Sequence, residues 1–468
     1  MRVRVPRDCP TLAEALARGA DRIVLKGVVD LPAGTAGALL DRPVHITGGT
    51  LCAHGEWALI IGADVRLTGV AIENADGHGV RIVAGAPVLE DVELRVKGVA
   101  GVCEGYSRPV LRRVVVDGAE NGWLLREDTA PDGDELAVNA SGSALVTTDR
   151  AAGHLARLAV MSGDQFATIE ASAQSRTTFA GLTVLKAGCG ALHIYGESQV
   201  TVDGGHIRSS GSADPKFPAI EVRETAAPKL SDLHIENSAG RGMFLHGSCT
   251  PSLSGLRIDH SDGNGVEVRG DVVLDVRDLT VTDAKGAGVV VAGNTTGRLA
   301  NVRTDATRNV GVGLGDQARV EVDGLLVRDA DGAGLRVAGE ARCVVRRVQA
   351  ELLGCPGVWV HESAHLTLDT PSVRLNRHDG LKVEDEASLV VRRGTVAENA
   401  GRGLFAGGGA RVRLDGVTLD ANQGWSIEAA DNASVKWSGG PLPARVSAAP
   451  GASLEDGSAA DGAGDVFG

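Results

Sequence analysis

Between residues 242 and 406 apolar and polar positions recur every 23 residues, each period opening on a glycine: Gly242, Gly265, Gly288, Gly311, Gly334, Gly357, Gly380 and Gly403. The next position is Met243, Val266, Val289, Val312, Leu335, Val358, Leu381 or Leu404, and two further on stands Leu245, Val268, Val291, Leu314, Val337, Val360, Val383 or Ala406. Apolar residues two apart predict a short strand with one buried face. A second apolar column follows in each period, at Leu253, Val276, Leu299, Val322, Val345, Leu368, Val391 and Leu414. No 3.6-residue pattern fits between the columns, and turn residues such as Asp262, Gly263 and Asn264 fill the corners. A repeat of this length buries its apolar face only against its neighbours. The predicted fold is therefore all-β: a parallel β-helix solenoid of about 23 residues per coil, with a short N-terminal capping helix.

The same phrase recurs upstream with looser spacing, at Gly79 to Ile82, Gly122 to Leu125, Phe166 to Ile169, Ala191 to Ile194 and Ala219 to Val222, and closes downstream at Gly424 to Ile427. That predicts roughly sixteen coils, a single rod on the order of 75 Å at about 4.8 Å per coil. Residues 1–40 read as an N-terminal cap and first strand, 41–437 as the β-helix, and 438–468 as a disordered acidic tail rich in Ala, Gly, Ser, Asp and Pro. In the cap, Thr11 and Glu14 fit a capping box opening a helix through Arg18, which would cover an exposed strand edge.

Aromatics make up only 3% of the chain and glycines number 64, as suits a thin aliphatic core with tight corners. The formal charge of −13 argues against nucleic acid and anionic membranes as partners. The start of the chain lacks a basic region followed by an apolar run, and the seven cysteines form no CxxC pair. Both observations point to a cytoplasmic protein. Cys343 falls on an inward column and is expected to pack in the core.

The opening Pro10 to Leu16, then Asp21 to Val24 and Pro43 to Gly48, resembles the N-terminal cap and first coil of pectin-lyase-like right-handed β-helix proteins. The stretches Pro218 to Arg223, Pro228 to Leu233 and Gly242 to His246 look most like bacterial cytoplasmic β-helix proteins associated with sporulation-type AAA ATPases. The resemblance covers about residues 10 to 437. It implies a right-handed coil and, as partner, an AAA ATPase on a separate chain, because no Walker A sequence is present. The catalytic signatures of the enzymatic members are missing. Gly77, His78 and Gly79 match three letters of the polygalacturonase pattern without its paired aspartates, so His78 reads as a turn residue.

Residues one period apart form outward columns. One of them reads Arg277, Ala300, Asp323, Arg346, Asp369, Arg392, Asp415, an expected ion-pair ladder beside Arg347 and Arg393. The candidate chemistry lies on the outward face of the first strand, in the pairs His193 and Tyr195, Glu221 and Arg223, Phe244 and His246, Glu267 and Arg269. Arginine neutralises a uronate carboxylate, while histidine or tyrosine moves its C5 proton, as β-elimination or C5 epimerisation requires. An insertion lengthens the step from Ala191 to Ala219 to 28 residues, and its Asp214 and Lys216 are expected to wall a groove. Lower on the column Arg336, Trp359, Lys382 and Phe405 follow, the two rings being read as exposed binding anchors. No metal-binding motif and no cofactor motif is present. Two functions follow: a non-catalytic cytoplasmic scaffold for a protein partner, and a carbohydrate-active polyuronate lyase or epimerase.

Overall fold

The computed structural model describes residues 1–31, 36–163 and 165–457. The chain forms two compact units, Met1–Gly240 and Arg241–Gly468, and each is a parallel β-solenoid of short strands joined by tight corners.

In the first unit, nine of the described strands form one outward series, from Ala38–Leu40 through Val99–Cys103 and Leu192–Ile194 to Ile220–Val222. Pairing is parallel throughout, with Leu59 against Val80, Val80 against Gly101, Trp123 against Leu145 and Leu192 against Ile220. The second unit carries ten strands of this kind among its described residues, from Met243–Gly247 to Val446–Ala448. Here Met243, Val266, Val289, Val312, Leu335, Val358, Leu381, Leu404 and Ile427 pair in one unbroken register. The described strands thus exceed the sixteen coils expected. In the first unit the extra ones lie where the coil shortens to about 21 or 22 residues and the opening glycine is replaced, as at Ala58 and Ala144.

Burial follows the alternation. The columns beginning at Met243, Leu245 and Leu253 are shut from solvent throughout, and Cys343 lies inside with its thiol pushed up to about 11 by burial. One polar column is also interior: Asn376, Asn399 and Asn422 stack as an amide ladder, the Asn376 Nδ2 donating to Asn399 Oδ1 at 2.9 Å and the Asn399 Nδ2 to Asn422 Oδ1 at 2.8 Å. Each amide also donates to a backbone carbonyl, of Ala350, Val373 and Val396 respectively.

Four expectations change. The helix Leu12–Ala17 is capped by Thr11 Oγ1, which accepts from the Glu14 N–H, but the Glu14 side chain pairs with Arg18 instead of closing the box. A strand, Arg2–Val5, precedes it and pairs with Arg22–Leu25. His78 opens a strand rather than a turn, its Nδ1 accepting from Val99 N–H at 2.9 Å while its ring lies 4.6 Å from Trp57. At the other end the expected disordered tail is ordered through 457: Val446–Ala448 pairs with Ile427–Ala429, and Ser453–Asp456 with Ser434–Ser438. One more coil's worth of backbone partners outweighs the polar composition there. The rest of the tail, 458–468, lies outside the described residues.

The charged ladder keeps its register, with Asp323 against Arg346 and Asp369 against Arg392, but the pairs form elsewhere. Asp323 takes Arg347 at 2.7 Å and Asp369 takes Arg393 at 3.0 Å. Arg347 and Arg393 sit at left-handed bends, φ 56° and 50°, which swing their side chains back over the preceding coil.

Candidate functional site

In the first unit the strand Leu192–Ile194 presents His193 outward, in register between Glu170 and Glu221. His193 Nε2 is 3.3 Å from Glu221 Oε2, and both side chains are largely covered. Its ring tilts against Tyr195 with centroids 4.7 Å apart. The Arg223 guanidinium lies over the Tyr195 ring at 4.8 Å, a cation–π contact. Arg223 Nε makes no hydrogen bond, and the carboxylate oxygen paired with it, Glu224 Oε1, stands 3.7 Å away. Here imidazole, phenol, carboxylate and a partly exposed guanidinium meet on one outward strand face. The expected insertion forms a turn in which Asp214 Oδ1 accepts from the Lys216 N–H at 3.0 Å. Asp214 thus shapes the turn, and Lys216 is exposed.

The arginines elsewhere on this face are spent. Glu104, 6% exposed, accepts from Arg81 Nε at 2.7 Å and Arg126 Nε at 2.9 Å. Burial would push its carboxyl up, but the two guanidinium groups outweigh that and hold it below the ordinary range.

In the second unit the expected acid–base set is a structural ion cluster. Glu267 is 2% exposed and accepts from Arg269 Nε at 2.6 Å, Asn264 Nδ2 at 3.0 Å, and Arg241 Nε. Burial again pushes up and the donors prevail, so the carboxyl is held low. A carboxylate with its lone pairs occupied and its proton affinity lowered is a poor base. Phe244 and His246 stack at 4.4 Å, and Arg241 covers the Phe244 ring at 4.9 Å. Sequence periodicity gave no hint of Arg241, because it lies just outside the repeating strand.

Trp359 and Phe405 are half-buried rather than bare anchors. The cations next to Trp359 in register are Arg336 and Lys382, over its ring at 5.3 and 5.0 Å, and its Nε1 donates to Glu384 at 2.9 Å. Arg402 covers Phe405 at 4.0 Å and grips Asp379 at 2.9 and 2.8 Å. Beside Trp359 lies His361, 6% exposed, whose Nε2 accepts from Arg336 Nε at 2.9 Å. Burial, reinforced by Arg336, pushes the imidazole down, so it stays neutral. The sequence did carry a signal for His361: it follows Trp359 by two places, as Tyr195 follows His193.

The coil, the strand register and the outward polar face define a right-handed β-helix protein. Residues 167–324 and 287–439 match the family described as right handed beta helix region, and the chain belongs to that family. No curated protein matches it in sequence. Among solved structures it is similar to a periplasmic alginate epimerase, at 12% identity and TM-score 0.40 over 73% of this chain and 78% of that one. A thermostable alpha-1,3-glucanase from Streptomyces thermodiastaticus gives 12% identity and TM-score 0.33, over 94% and 64%. The A-module of an Azotobacter vinelandii mannuronan C-5 epimerase gives 11% and 0.27, over 95% and 93%. At these values the likeness is one of fold alone. No helix among the described residues is long and apolar enough to cross a membrane.

Proposed function

We propose that this protein is carbohydrate-active and that the centre of His193, Tyr195, Glu221 and Arg223 works on an acidic polysaccharide by lyase or C5-epimerase chemistry. The observation that carries the reading is Arg223, whose side chain is 37% exposed, has its nearest paired carboxylate 3.7 Å away and lies on Tyr195 beside the His193 and Glu221 pair. A guanidinium held in this way is suited to a uronate carboxylate, and its charge makes the adjacent C5 proton easier to remove. Tyr195 or His193 moves that proton, with the Glu221 carboxylate beside the imidazole to favour its charged form. When the C5 electron pair forms the C4–C5 double bond, the C4–O bond breaks and its oxygen leaves with a proton as the hydroxyl of the released chain, giving the unsaturated product, whereas return of a proton to C5 from the opposite face gives the epimer. Incubation with polyuronates tests both routes, the first by the absorbance of the 4,5-unsaturated product and the second by deuterium incorporation at C5. Activity lost in His193→Ala and in Arg223→Ala, with melting unchanged, supports the centre; silence of the wild type in both assays across a broad panel refutes it.

The second unit favours another use of the same fold. Its carboxylates and arginines are spent on one another around Glu267 and Asp379, which leaves a finished surface suited to non-catalytic binding of a protein or polymer. An AAA ATPase partner in a cytoplasmic setting is the form that the sequence resemblance implies, and co-purification from the native cell tests it.

A further inference from the structure

His206 and His234 occupy matching places on two paired strands of the first unit, Thr201–Ile207 and Lys229–Ser238, and face each other in register. Their rings stack at 4.8 Å with only 4° between the planes. Glu236 stands two residues beyond His234, so strand alternation puts it on the same face. One ligand atom from each of the three lies within 4.8 Å of the others.

The contact between His206 and Glu236 has an unusual geometry. His206 Nε2 is 2.8 Å from Glu236 Oε1, close enough for a strong hydrogen bond, yet that nitrogen is shut from solvent and makes none. The nitrogen and the carboxylate thus lie side by side without a hydrogen bond joining them. We propose that His206, His234 and Glu236 form a binding site for a divalent transition ion of the zinc type. Two imidazoles and a carboxylate are a donor set for zinc, and three protein ligands leave a fourth position for water or an oxygen ligand. Zinc would draw the three donors to bonding distances of about 2.0–2.2 Å, and the parallel pairing already sets the two backbones side by side. The ion would staple two coils beside the inserted turn. No motif announces the site, since its histidines are 28 residues apart in the chain.

A second group, Asp30, Cys52 and His54, also brings three donors together. There the thiol is pushed up by burial and by Asp30 and Glu73, which disfavours the thiolate a metal needs. The test removes this group first. Full-length protein carrying Cys52→Ala and His54→Ala is dialysed against Zn2+ and its bound metal counted, with Co2+ as the absorbing probe of the ligand field. One equivalent of zinc is expected, with affinity at least about tenfold weaker in His206→Ala, His234→Ala and the near-isosteric Glu236→Gln. Ca2+ should not compete, because it demands a larger set of oxygen ligands. No stoichiometric zinc in the parent, or parent affinity retained in Glu236→Gln and in both histidine variants, overturns the assignment.

Discussion

Replacing Asn399 by alanine removes the centre of the buried amide ladder. The side chain makes four bonds: Oδ1 accepts from the Asn376 N–H at 3.2 Å and from Asn376 Nδ2 at 2.9 Å, and Nδ2 donates to Val373 O at 3.2 Å and to Asn422 Oδ1 at 2.8 Å. Asn376 Nδ2 keeps Ala350 O, and Asn422 Oδ1 keeps the Asn399 N–H at 3.1 Å. The Asn376 backbone N–H loses its acceptor inside the core. One orphaned buried donor costs about 1–3 kcal/mol and each of the other three lost bonds roughly 1 kcal/mol net, so Asn399→Ala should cost about 4 to 6 kcal/mol. Asn432→Ala, at an exposed corner, should stay within about 0.5 kcal/mol. Denaturant unfolding followed by circular dichroism measures the total. Hydrogen exchange reads the location, because coils couple mainly to their neighbours: the Leu353, Asn376 and Asn399 amides, each bonded to a ladder Oδ1, should lose protection first. Equal unfolding midpoints and equal exchange for the two variants would refute the ladder's role.

Val322→Asp, which buries a carboxylate at a side chain now 1% exposed, should cost several kcal/mol, whereas Asp323→Ser loses only surface pairs with Arg347 and Arg298 and should cost under about 1 kcal/mol; equal melting temperatures would contradict the register. Glu267 is held below its ordinary 4.5 in the fold, so its stabilisation is present above about pH 4.5 and lost as pH falls through the lower folded value; melting curves of Glu267→Gln and wild type should differ at pH 7 and converge in acid. His361 is held below 6.5 and neutral, so stability declines as pH drops from about 6.5 toward the folded value while the unfolded chain takes up the proton, a decline that should shrink in His361→Gln. Truncation after Ala449 removes Ser453–Asp456 and uncovers the strand Ser434–Ser438; size-exclusion chromatography should show association through that edge, and an unchanged monomer profile would contradict the pairing.

Much of the fold was legible because the second unit repeats without a slip: an apolar pair two apart fixes both the strand and the face it buries, and the 23-residue period fixes the partner. Legibility failed where the chemistry of the repeat thins. Arg2–Val5 offers only two apolar residues and no glycine, and the strands after Gly440 are built partly from serine and alanine, so backbone pairing rather than hydrophobic pattern places them. Of the candidate site, the columns were readable but the side-chain bonds were not. Periodicity put Glu267 and His246 on the outward strand without revealing that Arg241, Asn264 and Arg269 surround the carboxylate. It gave Trp359 and Phe405 as outward rings without showing the cations laid over them. Which arginine is gripped by a close carboxylate and which has only a distant one depends on distances of an ångström, and those are set by corner conformation and local bends.

On the proposed function the strand face around Arg223 receives an acidic polysaccharide. Hydrogen exchange of the whole protein with and without uronate oligosaccharides, read by mass spectrometry, tests it most directly. Protection confined to peptides spanning Leu192–Ile194 and Ile220–Val222, and abolished by Arg223→Ala, is the predicted result. No protection at saturating oligosaccharide, or protection that survives Arg223→Ala, would contradict the account.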